Sequence, residues 1–446
     1  MRDIALALVV FGLLPFVIRR PFWGVLLMSW LGYMNPHLLC FGFMKTMPVV
    51  QIVAIATMIG LLVSKEPKRM IWSREVVCLL IFVGWMGITT TQAFYFDAAV
   101  AQYTKVIKIQ ILTVMALLVL TSRERVHLFV WVVVVSLGFY GIKGGIFTLL
   151  NGGLYRVQGP FGSFIGGNNE LALALVMTIP LMRYLQLREQ SKLIKSGLSV
   201  AIVLSLIAAV GSQSRGALVA LVLTGSLFWL KSRNKLSTGL LIAIAVVLAA
   251  IIMPEQWYAR MNTIGAYDQD NSALGRINAW WTAWNVANNR LFGGGFEMWQ
   301  GPVFDAYAPV HYDVHDAHSI YFKVLGEHGH VGLFLFLSLL AMTWFKCRDV
   351  TRIAKSRHDA LWARDLAAML QVAMVAYLSG GAFLGLSYFD YIYHVVAIAV
   401  VVHQLVMSES LGEAGVNPAN RGAAGHDARC TASPGNEIAS PAQRNS

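Results

Sequence analysis

Long apolar runs separated by short polar turns make up most of this chain. A helix needs about 20 apolar residues to cross a bilayer core. Runs of that kind fall near 3–18, 21–40, 46–64, 75–95, 103–121, 125–150, 168–187, 195–212, 214–231, 236–254, 319–345, 362–383 and 389–408. The pattern predicts an all-α polytopic membrane protein with about 12 transmembrane helices, or 13 if the short first run, which contains Pro15, makes a full span. One long polar stretch, 255–318, interrupts the pattern and leads straight into an apolar helix. The chain therefore divides into N-terminal helices (1–254), a polar loop (255–318), C-terminal helices (319–408) and a tail (409–446). The tail is rich in Ala, Gly, Ser, Asn and Pro and is expected to be disordered.

Composition agrees with the pattern. Hydrophobic residues make up 57% and charged residues 13% of the 446 positions, whereas a soluble globule carries about a quarter charged residues. The formal net charge of +12 does not point to nucleic acid, because the Lys and Arg residues cluster in short loops, as orientation signals do. Loops carrying Lys65 to Arg74, Arg123 and Arg125, Arg183 to Lys195, Lys231 to Lys235 and Lys346 to Arg364 alternate with the rest. The positive-inside rule makes them cytoplasmic and places 151–167 and 255–318 on the periplasmic face of a bacterial inner membrane. The first apolar run is followed by Arg19 and Arg20 and another apolar run, not by a small-residue cleavage site, so it is expected to remain. Cys40, Cys78, Cys347 and Cys430 are scattered without CxxC spacing, which suggests neither a disulfide framework nor a metal knuckle.

Four cations stand against this topology, on or near the outer side: Lys143 in GIKGGIF, Arg156 in NGGLYRVQGPFG, Arg215 in GSQSRGAL and Arg276 in SALGRINAWW. A charge near the membrane is costly unless paired, and such residues often mark a substrate path. Arg215 occupies a very short turn between two apolar helices, where a diphosphate head group would lie and where a planar guanidinium suits bidentate phosphate contacts. The polar loop adds Arg260 and Arg290 among Trp257, Trp280, Trp281, Trp284 and Trp299, a mixture suited to anions, sugar faces and the lipid interface. Trp280 and Trp281, beside Arg276, are the expected sugar-facing pair.

His318 is the last strongly polar residue before the helix that follows the loop, and an imidazole there can take a proton from an attacking hydroxyl. His311, Asp313, His315, Asp316 and His318 in HYDVHDAH could alternatively bind zinc. Their spacing matches no standard zinc pattern, and nearby arginines can neutralise phosphate, so neither metal nor cofactor is expected. Glu327 lies nine residues beyond His318, which on a regular helix puts it on the opposite face and about 13 Å deeper. It is expected to pack between helices or to support the site from behind rather than to partner His318, with His328 and His330 structural, while Asn168, Asn169 and Glu170 are expected to cap the helix they open.

With these residues in place, the chain resembles the O-antigen ligase and polymerase superfamily. The resemblance is carried by HSIYFKVLGEHGHVG, SQSRGAL and GRINAWWTAW followed by LFGGGFE. A fuller match over RRPFWGVLLMSWLGYMNPH and GIKGGIFTLLNGGLYRVQGPFGSFIGGNNELALALVMTIPLM looks like the O-glycosylation ligase branch associated with exosortase systems. The resemblance implies a GT-C-like glycosyltransferase architecture acting on undecaprenyl-diphosphate-linked glycans, with His318 as the catalytic histidine and Arg215 and Arg276 on the diphosphate. A lipopolysaccharide core is the expected acceptor and a protein hydroxyl its rival. A polymerase of the same superfamily remains an alternative, as does a transporter of the lipid-linked glycan. Polar residues concentrated on one membrane face, rather than at the midplane, count against the transporter.

Overall fold

The computed structural model describes residues 1–231, 235–236, 239–240, 243–244, 247, 251, 253–262 and 271–415. The span expected over 236–254 lies largely outside the described residues, as do the Arg260 side chain and the tail from 416. Among the described residues there is no strand. The α-helices are α1 (Arg2–Arg19), α2 (Pro21–Met34), α3 (Val49–Val63), α4 (Arg74–Thr91), α5 (Phe96–Val119), α6 (Arg123–Leu150), α7 (Asn168–Arg188), α8 (Lys192–Gly211), α9 (Arg215–Lys231), α10 (Glu255–Asn262), α11 (Asn271–Asn289), α12 (Gly301–Tyr307), α13 (Ile320–Ile353), α14 (Leu361–Gly380) and α15 (Asp390–Gly415). Residues Met1–Val406 form one unit, and a second, Met407–Ser446, is described only as far as the end of α15.

Among the described residues, eight helices are long and apolar enough to cross a membrane: α4 to α8, α13, α14 with its 3-10 extension to Phe383, and α15. The expected number, about 12, is not reached by length and composition alone. Helix α2 stops after 14 residues because Asn35 turns left-handed (φ 47°) and Pro36 follows, a pairing that cannot continue a helix. Helix α3 has 15 residues and α9 has 17. Helix α15 instead runs past the expected boundary at 408 to Gly415.

The spanning helices are apolar on both sides. In α6, Val130, Val133 and Val134 are buried while Val135 and Phe139 are exposed, and a helix apolar all round belongs in a core or a membrane. Small residues let α6 and α8 approach closely. A Cβ on Gly145 would lie 2.3 Å from the Leu204 carbonyl oxygen, and one on Gly141 would lie 2.1 Å from Ser205 Oγ. The glycines of GIKGGIF therefore serve backbone contact, as small-residue stripes do between membrane helices.

Ion pairs tie the basic loops together at one end of the bundle. Arg125 pairs with Glu66 (2.5 Å), Arg188 with Asp365 (2.6 Å) and Lys346 with Glu75 (2.7 Å), and Arg123 stacks over Trp362. Helices α7, α9 and α13 begin at the other end, which is where the polar loop gathers.

Helix α13 is broken near its start. Gly329 takes φ 68° and ψ −172°, a region open essentially to glycine alone. The break frees carbonyls that need donors. The LFGGGFE segment supplies two of them: Gly294 N donates to Gly326 O (2.8 Å) and Gly295 N to Glu327 O (2.9 Å). Trp85 Nε1 donates to His328 O (2.9 Å). The glycine run is needed for close approach, since a Cβ on Gly295 would meet Ala93 Cβ at 2.2 Å.

Candidate functional site

Arg215 opens α9 from a turn that is pinned on several sides. Asn168 Nδ2 donates to Ser212 O (2.8 Å), Gln213 Nε2 donates to Gly153 O (3.1 Å), and Val157 N donates to Gly211 O (3.3 Å). Gln213 is held in the left-handed region at φ 58°. Ser214 Oγ accepts from Ala217 N (3.2 Å), so the helix start is capped independently of the Arg215 side chain. Asn168 was expected to cap its own helix, but the cap of α7 is Gly167, without a side-chain bond. The Asn168 amide is used instead to anchor the neighbouring turn.

Arg276 projects from α11 toward the same place. A small polar cleft is lined by Arg215, Arg276, Asn169, Ser272, Phe383 and Leu384, among others. Two arginines that lie far apart in sequence, on separate helices, thus face one cavity. Next to Arg276, a Cβ on Gly275 would lie 2.6 Å from the His315 ring, so the glycine makes room for the loop that carries the histidines. Asn278, buried on α11, clamps that loop: its Nδ2 donates to Val310 O (2.8 Å) and Asp313 O (3.0 Å), and its Oδ1 accepts from Val310 N (2.9 Å).

His318 does not itself line the cleft, but Arg276, which does, is near enough to act on its charge. Its neighbours are fixed: Ala317 and Ser319 are buried, Trp280 Nε1 donates to Ala317 O (2.8 Å), and Lys323 N donates to Ser319 O (2.9 Å). His318 itself takes φ 42°, a conformation that costs of order 1–3 kcal/mol outside glycine and tends to occur at functional positions. Burial pushes its imidazole down from the ordinary histidine value. Asp316 and Glu170 act upward on it, and Arg276 and Lys323 act downward. Arg276 and Glu170 therefore link His318 electrostatically to the cleft and to the start of α7.

The remaining expected residues separate. Trp280 stacks on Phe322 (4.9 Å, 8° between planes) and spends its indole N–H on Ala317 O, so its contacts orient the His318 backbone. Trp281 is exposed. Arg156 is exposed in the loop before α7, and Lys143 is exposed on α6 beside Ile142, Ile146 and Phe147; neither lines the cleft. His315 Nδ1 lies 2.8 Å from Asp313 Oδ1, and among the described residues no three His, Cys, Asp or Glu side chains group to hold a metal.

Behind the loop lies a chain of polar contacts that sequence reasoning did not assemble. Lys323 Nζ is 3.0 Å from Asp316 Oδ2 and 3.9 Å from Glu327 Oε1. Glu327, fully buried, also accepts from Trp299 Nε1 (3.1 Å) and from Tyr388 OH (2.6 Å). Tyr388 OH lies 2.9 Å from His328 Nε2, and His328 Nδ1 lies 2.7 Å from Thr89 Oγ1. Among the described residues, Glu327 makes no hydrogen bond or ion pair with His318; its carboxylate is taken up by Lys323, Trp299 and Tyr388. A lysine four residues before a glutamate in an otherwise apolar helix was the available signal, since such charges must be partnered.

The fold and cleft define a multi-pass helical membrane protein with a two-arginine cavity and a constrained histidine. Residues 200–337, which carry Arg215, Arg276, His318 and Glu327, match the family described as O-antigen ligase. Residues 1–190 match a family of unknown function. Among curated proteins, none matches the chain. The first match supports the O-antigen ligase superfamily and a ligase- or polymerase-type transferase function.

Proposed function

We propose that the protein transfers a glycan from undecaprenyl diphosphate to an acceptor hydroxyl at the periplasmic face of the inner membrane. The acceptor hydroxyl oxygen attacks the anomeric carbon, the bond from that carbon to the diphosphate oxygen breaks, and the hydroxyl proton passes to His318. Arg215 and Arg276 stabilise the departing diphosphate, whose charge grows as the bond breaks. Displacement in one step inverts the anomeric centre. The observation that carries this reading is the convergence of Arg215 and Arg276 on one cleft, with Arg276 near enough to His318 to act on its charge. Trp281, Arg156 and Lys143 do not line the cleft, and as exposed side chains they fit glycan or head-group contacts outside it. A lipopolysaccharide core is the acceptor most in line with the family match, and the exosortase-associated branch rests on the resemblance of the N-terminal half.

The test is reconstitution of purified protein with lipid-linked glycan and, separately, lipid A-core, a Ser/Thr-rich protein, or no second acceptor, with products resolved by gel. Transfer to lipid A-core is expected. Transfer only to protein would make it a protein O-oligosaccharyltransferase, extension of the donor alone would make it a polymerase, and no transfer to any of the three would sink the assignment. Because guanidinium groups neutralise the diphosphate, activity is expected to survive exhaustive EDTA treatment. Loss restored by zinc or magnesium would revive the His311, His315 and His318 metal site.

Orientation can be probed on intact spheroplasts with a membrane-impermeant thiol reagent, in a background lacking native cysteines. Ser163→Cys should label and Ser191→Cys should not, since the second lies in a basic loop. The reverse pattern would turn the protein over in the membrane.

A further inference from the structure

Lys323 is buried, does not line the cleft and has two carboxylate partners. Its ammonium lies between two carboxylates that are held in different ways. Glu327 is fixed: it is fully buried, and its oxygens accept from Trp299 Nε1, from Tyr388 OH and, more weakly, from Glu297 N (3.4 Å). Asp316 belongs to the loop and stands two residues before His318. Its Oδ2 accepts from Lys323 Nζ, and the His318 backbone N–H also stabilises the ionised carboxylate. Gly385 closes over the pair, with a Cβ there 3.6 Å from Asp316 Oδ2 and 3.9 Å from Lys323 Cδ. Glu327 in α13 is thereby connected through one ammonium to a carboxylate two residues before the left-handed His318.

We infer that Lys323 is a positioning residue for His318: anchored by Glu327, it clamps Asp316 and so sets both the backbone geometry and the charge around the imidazole. The inference rests on the reading of His318 as the proton acceptor. Among the described residues, four charged groups act on that imidazole: Asp316 in its own loop, Arg276 on α11, Glu170 on α7 and Lys323 on α13. Burial works against ionising Asp316, but Lys323 and His318 together outweigh it and keep that carboxyl below the ordinary aspartate value. Removing the ammonium takes away a charge that opposes protonation of His318, and while Asp316 stays ionised this pushes the imidazole pKa up. Removing the Asp316 charge pushes it down.

The experiment reads His318 protonation directly, from the rate of carbethoxylation at that residue in purified full-length protein, followed by mass spectrometry across acidic to neutral pH. Lys323→Met should move the reactivity limb to higher pH by about one pH unit, and Asp316→Asn should move it to lower pH. Lys323→Arg keeps the charge and should leave the limb near wild type. In the ligation assay, Lys323→Met should lower kcat by up to about 10²-fold, the scale of a misplaced catalytic group, with donor KM little changed. If two buried carboxylates without a cation unfold Lys323→Met, that substitution combined with Glu327→Gln, which buries one charge fewer, is read for the same upward shift. A His318 limb that stays at its wild-type pH in Lys323→Met, or that moves the same way in both variants, overturns the inference. Limbs that move in opposite directions, with a kcat profile that fails to follow them, support the positioning of His318 and remove instead its role as the base.

Discussion

His318→Ala is expected to cut turnover by roughly 10²–10⁴-fold, the usual range for removal of a positioned general base, while donor affinity stays near wild type. The proton moves only as the acceptor oxygen attacks, so the lost interaction belongs to the transition state. The pH profile supplies a second signature. Neutral imidazole is the working form, so activity is lost as pH falls through the His318 pKa. Burial lowers that pKa, which should place the acidic limb below the ordinary histidine value of about 6.5. Turnover near wild type in His318→Ala, or donor binding lost as badly as in an arginine variant, would make His318 a substrate-positioning residue and not the base.

Arg215→Ala is expected to fail in both binding and rate. Its guanidinium faces a group that is anionic before reaction and more so at the transition state. Loss of one charge-assisted contact, about 1.5–3 kcal/mol, should raise the donor dissociation constant roughly 10- to 100-fold and slow the chemical step as well. Arg215→Lys should recover part of the loss, because an ammonium keeps the charge but not the bidentate fork. The turn itself should survive, since Ser214 caps α9 and Asn168 and Gln213 hold the backbone. Unchanged donor affinity in a monodisperse Arg215→Ala protein would remove Arg215 from the diphosphate site. Arg276→Ala should share the binding defect and also raise the pH of the acidic limb, because Arg276 opposes protonation of His318.

Much of the helical scaffold was legible because apolar run length is a local property. The starts of α6, α7, α8 and α9 fall within three residues of the expected span boundaries, since each follows a turn or loop rich in Gly, Ser or charged residues. Local signals misjudged the ends of α2 and α15, where a left-handed Asn35 and a helix-compatible polar segment decided the boundary. Local chemistry also singled out Arg215, Arg276 and His318 from their unusual settings. It also chose residues that do not join the cleft: Lys143 sits among glycines that serve contact between α6 and α8, and it is exposed with Ile142 and Ile146. Trp280 looked like a sugar platform, whereas its indole N–H is committed to the backbone next to His318.

Hydropathy, loop charge and residue type, read along the chain alone, determined that this is a multi-span helical protein with a polar segment where cations and a histidine accumulate. These features depend only on neighbours in sequence, because burial in lipid and helix formation both act over runs of adjacent residues. Tertiary structure alone decided which cations share a cleft, and that α13 breaks at Gly329 against the glycine run at 293–295. It also decided that Lys323 joins Asp316 to a Glu327 held by Trp299 and Tyr388. A buried charge must be satisfied by whatever group packing brings within reach, and for Glu327 two of those groups lie 28 and 61 residues away along the chain.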